Sequence, residues 1–372
     1  MSQPRIHCLL SPKEEFSENG AGAQTLKIVQ TSRRSRFRQS ITVFGKPAAS
    51  PFPDVAFQPL TSFWPALFGD NMGFARAYAR AVGLSPPDMI ECFNRPPVAT
   101  WLARRFPNVP VTLYIGNDPQ TKGNAKTVAQ RQALIDRLAG IYFVSEYVYS
   151  RFMEGIRGAA PNVRVLRTGM DRAEGPAPEK DKTIVFVGRI EPIKGALELA
   201  EALGKVLARH PDWSAYLIGA RWFKVSSDLT AYEQRVKAAA ESSPNIHVTG
   251  FLPNAQVRAH LRRAAISVVP SNWEEPFART AVEGLAEGCA VVASKRGGLV
   301  ELGHRVRFLP AVTADEIERA LEELVSNDAE RARLQAVAWN DFPFTMDAFA
   351  KQWDDYRAEV MGLPAKWTRV AG

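Results

Sequence analysis

Short apolar runs alternate with longer amphipathic stretches along most of this chain, which predicts a parallel sheet flanked by helices. Residues 5–10, 41–44, 89–93, 111–115, 140–145 and 163–166 read as the strands of a first half. A glycine-bearing turn over 18–25 leads into a helix over about 23–32, and residues 45–62, rich in proline and small side chains, read as a long loop. Residues 63–83 mix Phe63, Trp64, Phe68, Phe74 and Tyr78 with Arg76 and Arg80, the pattern of a surface helix or of one lying on lipid headgroups. A polar, proline-punctuated stretch over 175–182 follows. The alternation then restarts, with strands at 183–187, 214–219, 246–248, 266–270 and 290–294 and helices at 195–209, 228–241, 254–264 and 277–287. Residues 341–361 are amphipathic, carrying Phe342, Phe344, Phe349, Trp353 and Tyr356.

The expected fold is thus α/β, with two doubly wound, Rossmann-like domains and the ligand in the cleft between them. The expected division is 1–176 and 177–345, with 346–372 as a helix crossing back onto the first domain. A length of 372 residues and an apolar fraction of 46% suit two such cores.

Charge is unevenly spread. Residues 1–176 hold 22 Lys and Arg against 13 Asp and Glu, whereas 177–372 hold 25 against 26. The excess marks a first domain that carries ordinary solubility charge or faces an anionic membrane or acceptor. Arg33, Arg34, Arg36 and Arg38 form its densest cluster, with no aromatic platform for stacked bases, which argues against nucleic acid. No apolar run reaches the roughly 18–20 residues that span a bilayer, and the first residues lack a leader pattern, so a cytoplasmic location is expected, at most peripheral to the inner membrane face. Cys8, Cys92 and Cys289 are odd in number, widely spaced and set among apolar residues, as reduced core thiols are. Neither CxxC nor HExxH occurs, so no metal site is expected.

The chemistry concentrates in two segments. Phe186–Gly195 ends an apolar strand and presents Arg189 and Lys194, closed by Gly195. Ser271–Glu283 sets Glu275 and Glu283 across a loop-to-helix junction. Two cations, a helix N-terminus and two carboxylates suit a ligand anionic at one end and rich in hydroxyls at the other, such as a nucleotide-sugar.

Several stretches of the second half resemble the donor-binding domain of retaining glycosyltransferase family 4 (glycosyl transferases group 1), which has the GT-B fold. They are Phe186-Val-Gly-Arg with Lys194-Gly195, Ile218-Gly219, Val248-Thr-Gly-Phe251, Glu275-Pro-Phe-Ala-Arg-Thr-Ala-Val-Glu283, Gly288 to Ser294, and Gly297-Gly298 with Glu301. In the first half, Phe143-Val-Ser-Glu146, Arg167-Thr-Gly-Met-Asp171 and the turn at Gly20 and Gly22 are similar to that family more loosely.

The resemblance implies transfer of a hexose-type sugar from a nucleotide-diphosphate donor, with retention and without a metal or other cofactor. The acceptor would be a glycan or lipid-linked glycan of cell-surface polysaccharide or lipopolysaccharide core synthesis. It implies that Arg189 and Lys194 neutralise the leaving diphosphate. Glu283 would accept the ribose hydroxyls, and Glu275 would read the donor sugar as a positioning group or attack it as a nucleophile. Gly188, Gly219, Phe251, Pro276, Phe277, Ala278 and Thr280 would complete the donor site, with base recognition near 219–223 and 251–253. Gly20, Gly22, Asn94 and Asn117 would face the acceptor.

Two departures stand out. The family's first-domain histidine is missing, since that half contains only His7, inside the first strand; Asn117 or Asp118 would replace it, Asp118 as a base toward the acceptor hydroxyl. Ala278 stands where glycine is common, narrowing backbone access to the sugar. The competing readings are another enzyme of this fold, such as a sugar-nucleotide epimerase or a phosphorylase, and a non-catalytic nucleotide-sugar binder.

Overall fold

The computed structural model describes residues 3–18, 20–61, 65–221 and 229–364, with backbone alone for 65–68. Phe63, Trp64, the Phe68 side chain and residues 222–223 of the expected base-recognition segment lie outside the described residues. The chain divides into a first unit of 1–169 with 344–372 and a second of 170–343.

In the first unit a parallel sheet runs β1 (Ile6–Leu9), β2 (Ile41–Gly45), β3 (Ala56–Pro59), β4 (Met89–Phe93), β5 (Val111–Ile115), β6 (Gly140–Phe143) and β7 (Val163–Val165). Helices α1 (Ala23–Arg34), α2 (Pro65–Val82), α3 (Pro96–Arg105), α4 (Val128–Arg137) and α5 (Glu146–Met153) are the crossovers. The spatial order β3-β2-β1-β4-β5-β6-β7 reverses direction between β1 and β4, which places the unit's ligand-binding crevice at the carboxyl ends of those two strands. Every residue of β4 and β5 is buried, as strands covered on both faces must be.

Residues 45–62 are not one continuous loop, because β3 pairs in register with β2 over Thr42–Gly45. It is an edge strand with three of its four residues exposed, so it lacks an apolar run to announce it. Its Phe57 stacks on Phe16 at 4.5 Å.

The last helix, Met346–Val360, packs on α1 within the first unit. Its Trp353 and Arg357 are 2% exposed and both donate to Glu91 of β4. The arginine cluster faces inward in charge terms. Arg33 meets Asp54 at 2.7 Å, Arg34 meets Asp347 at 3.1 Å, Arg36 meets Asp355 at 2.8 Å and Arg38 meets Asp54 at 3.8 Å. Two of these carboxylates come from the last helix, which the local sequence around residue 35 gives no sign of. The cluster is a set of intramolecular ion pairs rather than an open basic patch.

The second unit follows with β8 (Asp181–Val187), β9 (Ser214–Ile218), β10 (Ile246–Gly250), β11 (Ala264–Val269), β12 (Ala290–Ser294) and β13 (Val306–Leu309). Its helices are α6 (Ala196–Arg209), α7 (Ala231–Ala240), α8 (Asn254–Arg263), α9 (Arg279–Ala286), α10 (Ala314–Ser326) and α11 (Asp328–Asn340). The hydrophobic pattern left β13, α10 and α11 unassigned. The order β10-β9-β8-β11-β12-β13 turns between β8 and β11. Ile184, Leu203, Leu217, Ile266, Val292 and Leu321 join in one core. The 175–182 stretch is fastened to this unit: Lys180 donates to the carbonyls of Arg262 (2.9 Å) and Glu287 (2.6 Å).

All three cysteines are buried free thiols. Among the described residues no helix is long and apolar enough to cross a membrane.

Candidate functional site

Carboxyl-end loops of the second unit are sewn to one another backbone to backbone. Gly188 N–H donates to Ile218 O (3.0 Å) and Gly219 N–H to Gly250 O (2.9 Å), so the ends of β8, β9 and β10 lie side by side, with Phe251 next in line. Gly219 has φ 140°, and a Cβ on it would stand 1.9 Å from Gly188 O. Only glycine fits such an approach.

The chain then folds tightly. Glu191 N–H donates to Arg189 O and Lys194 N–H to Glu191 O, both at 2.9 Å, and Pro192–Lys194 form a 3₁₀ turn. Gly195 closes it at φ 68°, with room for a Cβ denied by Pro270 O at 2.0 Å. On the other strand of the switch point, Asn272 N–H donates to Ile193 O (2.9 Å). Ser271 Oγ lies 3.1 Å from Ile193 O and 2.7 Å from Glu275 Oε1.

These joins bring Lys194 onto Glu275. The Lys194 ammonium forms an ion pair with Glu275 Oε1, the oxygen that Ser271 also meets. Glu275 is 7% exposed, so its charge depends on those partners. Both bonds fall on Oε1. Gly297 N–H donates to Glu274 Oε2 and Gly298 N–H to Glu275 O, each at 2.6 Å. The double glycine therefore braces the backbone around Glu275.

Helix α9 begins at Arg279, two residues later than the sequence suggested, because Ala278 stands at φ 50° and ψ 69°. That is the left-handed region, costly for a residue with a Cβ, and it gives the reason glycine suits this position. No side chain caps α9, and of its first-turn N–H groups Ala281 N–H turns back to Ala278 O at 3.0 Å. Thr280 lies in that turn. Glu283, 5% exposed, is held through Oε1 by Arg279 Nε at 2.9 Å. Arg189 pairs with Glu191 at 2.8 Å.

The expected first-unit residues stand on separate loops. Gly20 and Gly22 sit close to the carboxyl groups of Glu15 and Glu14. Glu14 accepts from Thr25 Oγ1 (2.9 Å) and Thr25 N–H (3.3 Å), so α1's N-terminus is already met by a carboxylate of the chain itself. Asn94 has φ 53°, and its Oδ1 accepts from Gly116 N–H at 2.7 Å, joining the ends of β4 and β5. Asn117 is exposed. Asp118 caps a short 3₁₀ turn through Gln120 N–H (2.9 Å) and pairs with Arg151 (3.2 Å), so its carboxylate is engaged on two sides.

Sequence reasoning missed Arg95. It is 6% exposed and donates to Leu9 O (2.7 Å) and Leu10 O (2.6 Å), tying β4's end to β1's. Burial pushes its guanidinium down to about 10. Its only sequence signal is a cation beside two prolines at a strand end.

Residues 169–339, most of the second unit, match the family described as Glycosyl transferases group 1. The Bacillus subtilis protein YtcC, named provisionally as a glycosyltransferase, is 27% identical over 300 residues, 73% of each chain. A lipopolysaccharide 1,2-N-acetylglucosaminetransferase of Salmonella typhimurium is 28% identical over 156 residues, 41% of this chain and 40% of its own. Among solved structures, Anabaena HepE in complex with UDP and glucose superposes with a TM-score of 0.72 at 16% identity, covering 95% of this chain and 99% of its own. The two parallel-sheet units are the GT-B fold.

Proposed function

We propose that this protein transfers a hexose-type sugar from a nucleotide-diphosphate donor to a glycan or lipid-linked glycan, with retention and without a metal. The observation that carries the reading is the meeting of Lys194, Ser271 and Glu275 at the switch point of the second unit, beside the uncapped N-terminus of α9. In this reading Arg189, Lys194 and the α9 N–H groups receive the diphosphate, and they stabilise the charge it gains as the sugar–phosphate bond breaks. Glu283 takes the ribose hydroxyls on its outer oxygen. Glu275 Oε2, the oxygen not met by Lys194 or Ser271, takes the donor sugar's hydroxyls, and its carboxylate steadies positive charge at the anomeric carbon. The named activity of the Salmonella relative and the UDP in HepE support a nucleotide-sugar donor and a surface-glycan acceptor.

Titration calorimetry with UDP, GDP, ADP and dTDP, with and without EDTA, tests the donor half. EDTA-insensitive binding of one nucleotide, clearly weakened but still measurable in Arg189→Ala and in Lys194→Ala, supports the reading. No binding of any sinks it. Turnover of the matching nucleotide-sugar, with the product's anomeric configuration read by NMR, tests transfer and retention.

A further inference from the structure

Every charged side chain assigned here to the donor already has a partner of opposite sign within the second unit. Lys194 is on Glu275, Arg279 on Glu283 and Arg189 on Glu191. Lys194 and Glu275 are both residues that the donor needs, a cation for phosphate and a carboxylate for hydroxyls, and Arg279 holds a second such carboxylate, Glu283, in place. Glu191 is different, because it would meet no hydroxyl and stands beside the diphosphate's cation.

Backbone geometry pins it there. The Glu191 N–H to Arg189 O bond folds residues 189–191 onto themselves, and Pro192 fixes the residue that follows. The carboxylate meets the guanidinium at 2.8–2.9 Å, with side-chain exposures of 42% for Arg189 and 23% for Glu191. Glu191 also lines a cavity of about 380 Å³ with Ile190, Pro192, Arg221, Thr230 and Tyr232. Arg221 brings a second basic residue to that cavity.

We propose that Glu191 is an internal competitor for the donor's diphosphate. It occupies Arg189 while the site is empty and turns into the adjacent cavity, toward Arg221, when the diphosphate takes Arg189. It thereby sets the donor affinity low. This rests on the donor reading above and names a residue that weakens binding at that same site. An exposed ion pair is worth little, so the effect is modest: Glu191→Gln tightens nucleoside diphosphate binding roughly 2- to 5-fold. The effect acts on charge, so it grows from nucleoside to monophosphate to diphosphate, shrinks with added salt and disappears once Arg189 is alanine.

The test is calorimetry on wild type, Glu191→Gln, Arg189→Ala and the double variant. The probe is whichever of UDP, GDP, ADP and dTDP binds tightest, with its monophosphate and free nucleoside as controls. Tighter diphosphate binding in Glu191→Gln, unchanged nucleoside binding and no gain in the double variant are the expected results. Diphosphate binding that is unchanged or weakened in Glu191→Gln, or equal tightening of the nucleoside, overturns the competitor role while leaving the donor site standing. If no nucleotide binds wild type, both fall.

Discussion

Glu91 on β4 and Arg357 in the last helix, 266 positions apart, form a two-pronged ion pair with both side chains 2% exposed. Arg357 Nε and NH2 each donate at 2.8 Å to one carboxylate oxygen, Trp353 Nε1 and Cys8 Sγ add two more donors, and Asp354 takes the remaining face of the guanidinium at 3.0 Å. The arginine's charge outweighs the cost of burial, holding Glu91 below the usual carboxylate range. Arg357→Met strands a buried carboxylate and lowers first-unit stability by about 3–5 kcal/mol. Glu91→Gln/Arg357→Met removes both charges and recovers a good part of that loss. Urea unfolding followed by first-unit tryptophan fluorescence measures both.

Lys194→Ala acts twice. It leaves Glu275 nearly buried without its cation, and in the function proposed above it removes a donor to the leaving group. Loss of one such donor costs about 10²–10³ in kcat. Lys194→Arg keeps the charge on a longer fork and recovers less than a tenth of the activity. Steady-state kinetics with the matching nucleotide-sugar give the numbers, and an unchanged kcat in Lys194→Ala would remove the residue from the mechanism.

Ala278→Gly relieves a left-handed residue at the entrance of α9. The expected gain is about 1 kcal/mol, or a rise of roughly 2–4 °C in the second unit's melting temperature. Differential scanning calorimetry resolves a shift of that size.

His7 provides a pH signature. Burial, helped by the nearby Arg5 charge, lowers it from 6.5 to about 4. Its Nδ1 sits 2.9 Å from Tyr78 Oη. The fold therefore holds the neutral ring. Its contribution is complete above pH 6.5 and is lost as pH falls toward 4. Thermal melts between pH 7 and 4 show a steeper acid decline for wild type than for His7→Phe, which has no proton to gain.

Legibility in the sequence followed how local each interaction is. The buried strands β4, β5, β11 and β12 were plain because an apolar run needs no distant partner to be read. Edge strand β3 was invisible, its single inward ring, Phe57, resting on Phe16. Arg189, Lys194, Glu275 and Glu283 could be named as candidates because two short segments carry all four. That Lys194 and Glu275 touch follows from backbone bonds between Ile193 and the residues after β11, and no local pattern records those. The partners of Arg34 and Arg36, Asp347 and Asp355, lie more than 300 positions away and are equally absent from any local pattern. Asp118 looked free for chemistry, whereas Arg151 on α5 holds it.

The buried arginine of the last helix also sets an order of events during synthesis. The first unit consists of residues 1–169 and 344–372, with the whole second unit coded between them. As the chain leaves the ribosome, Glu91 emerges early and waits for a cation that is translated 266 residues later. At about 5–20 residues per second that delay is on the order of 13–50 seconds. The second unit, continuous in sequence, can close its core in the meantime. The domain made first is thus finished last, and a ribosome stalled before codon 357 leaves it with an unanswered charge beneath its central sheet.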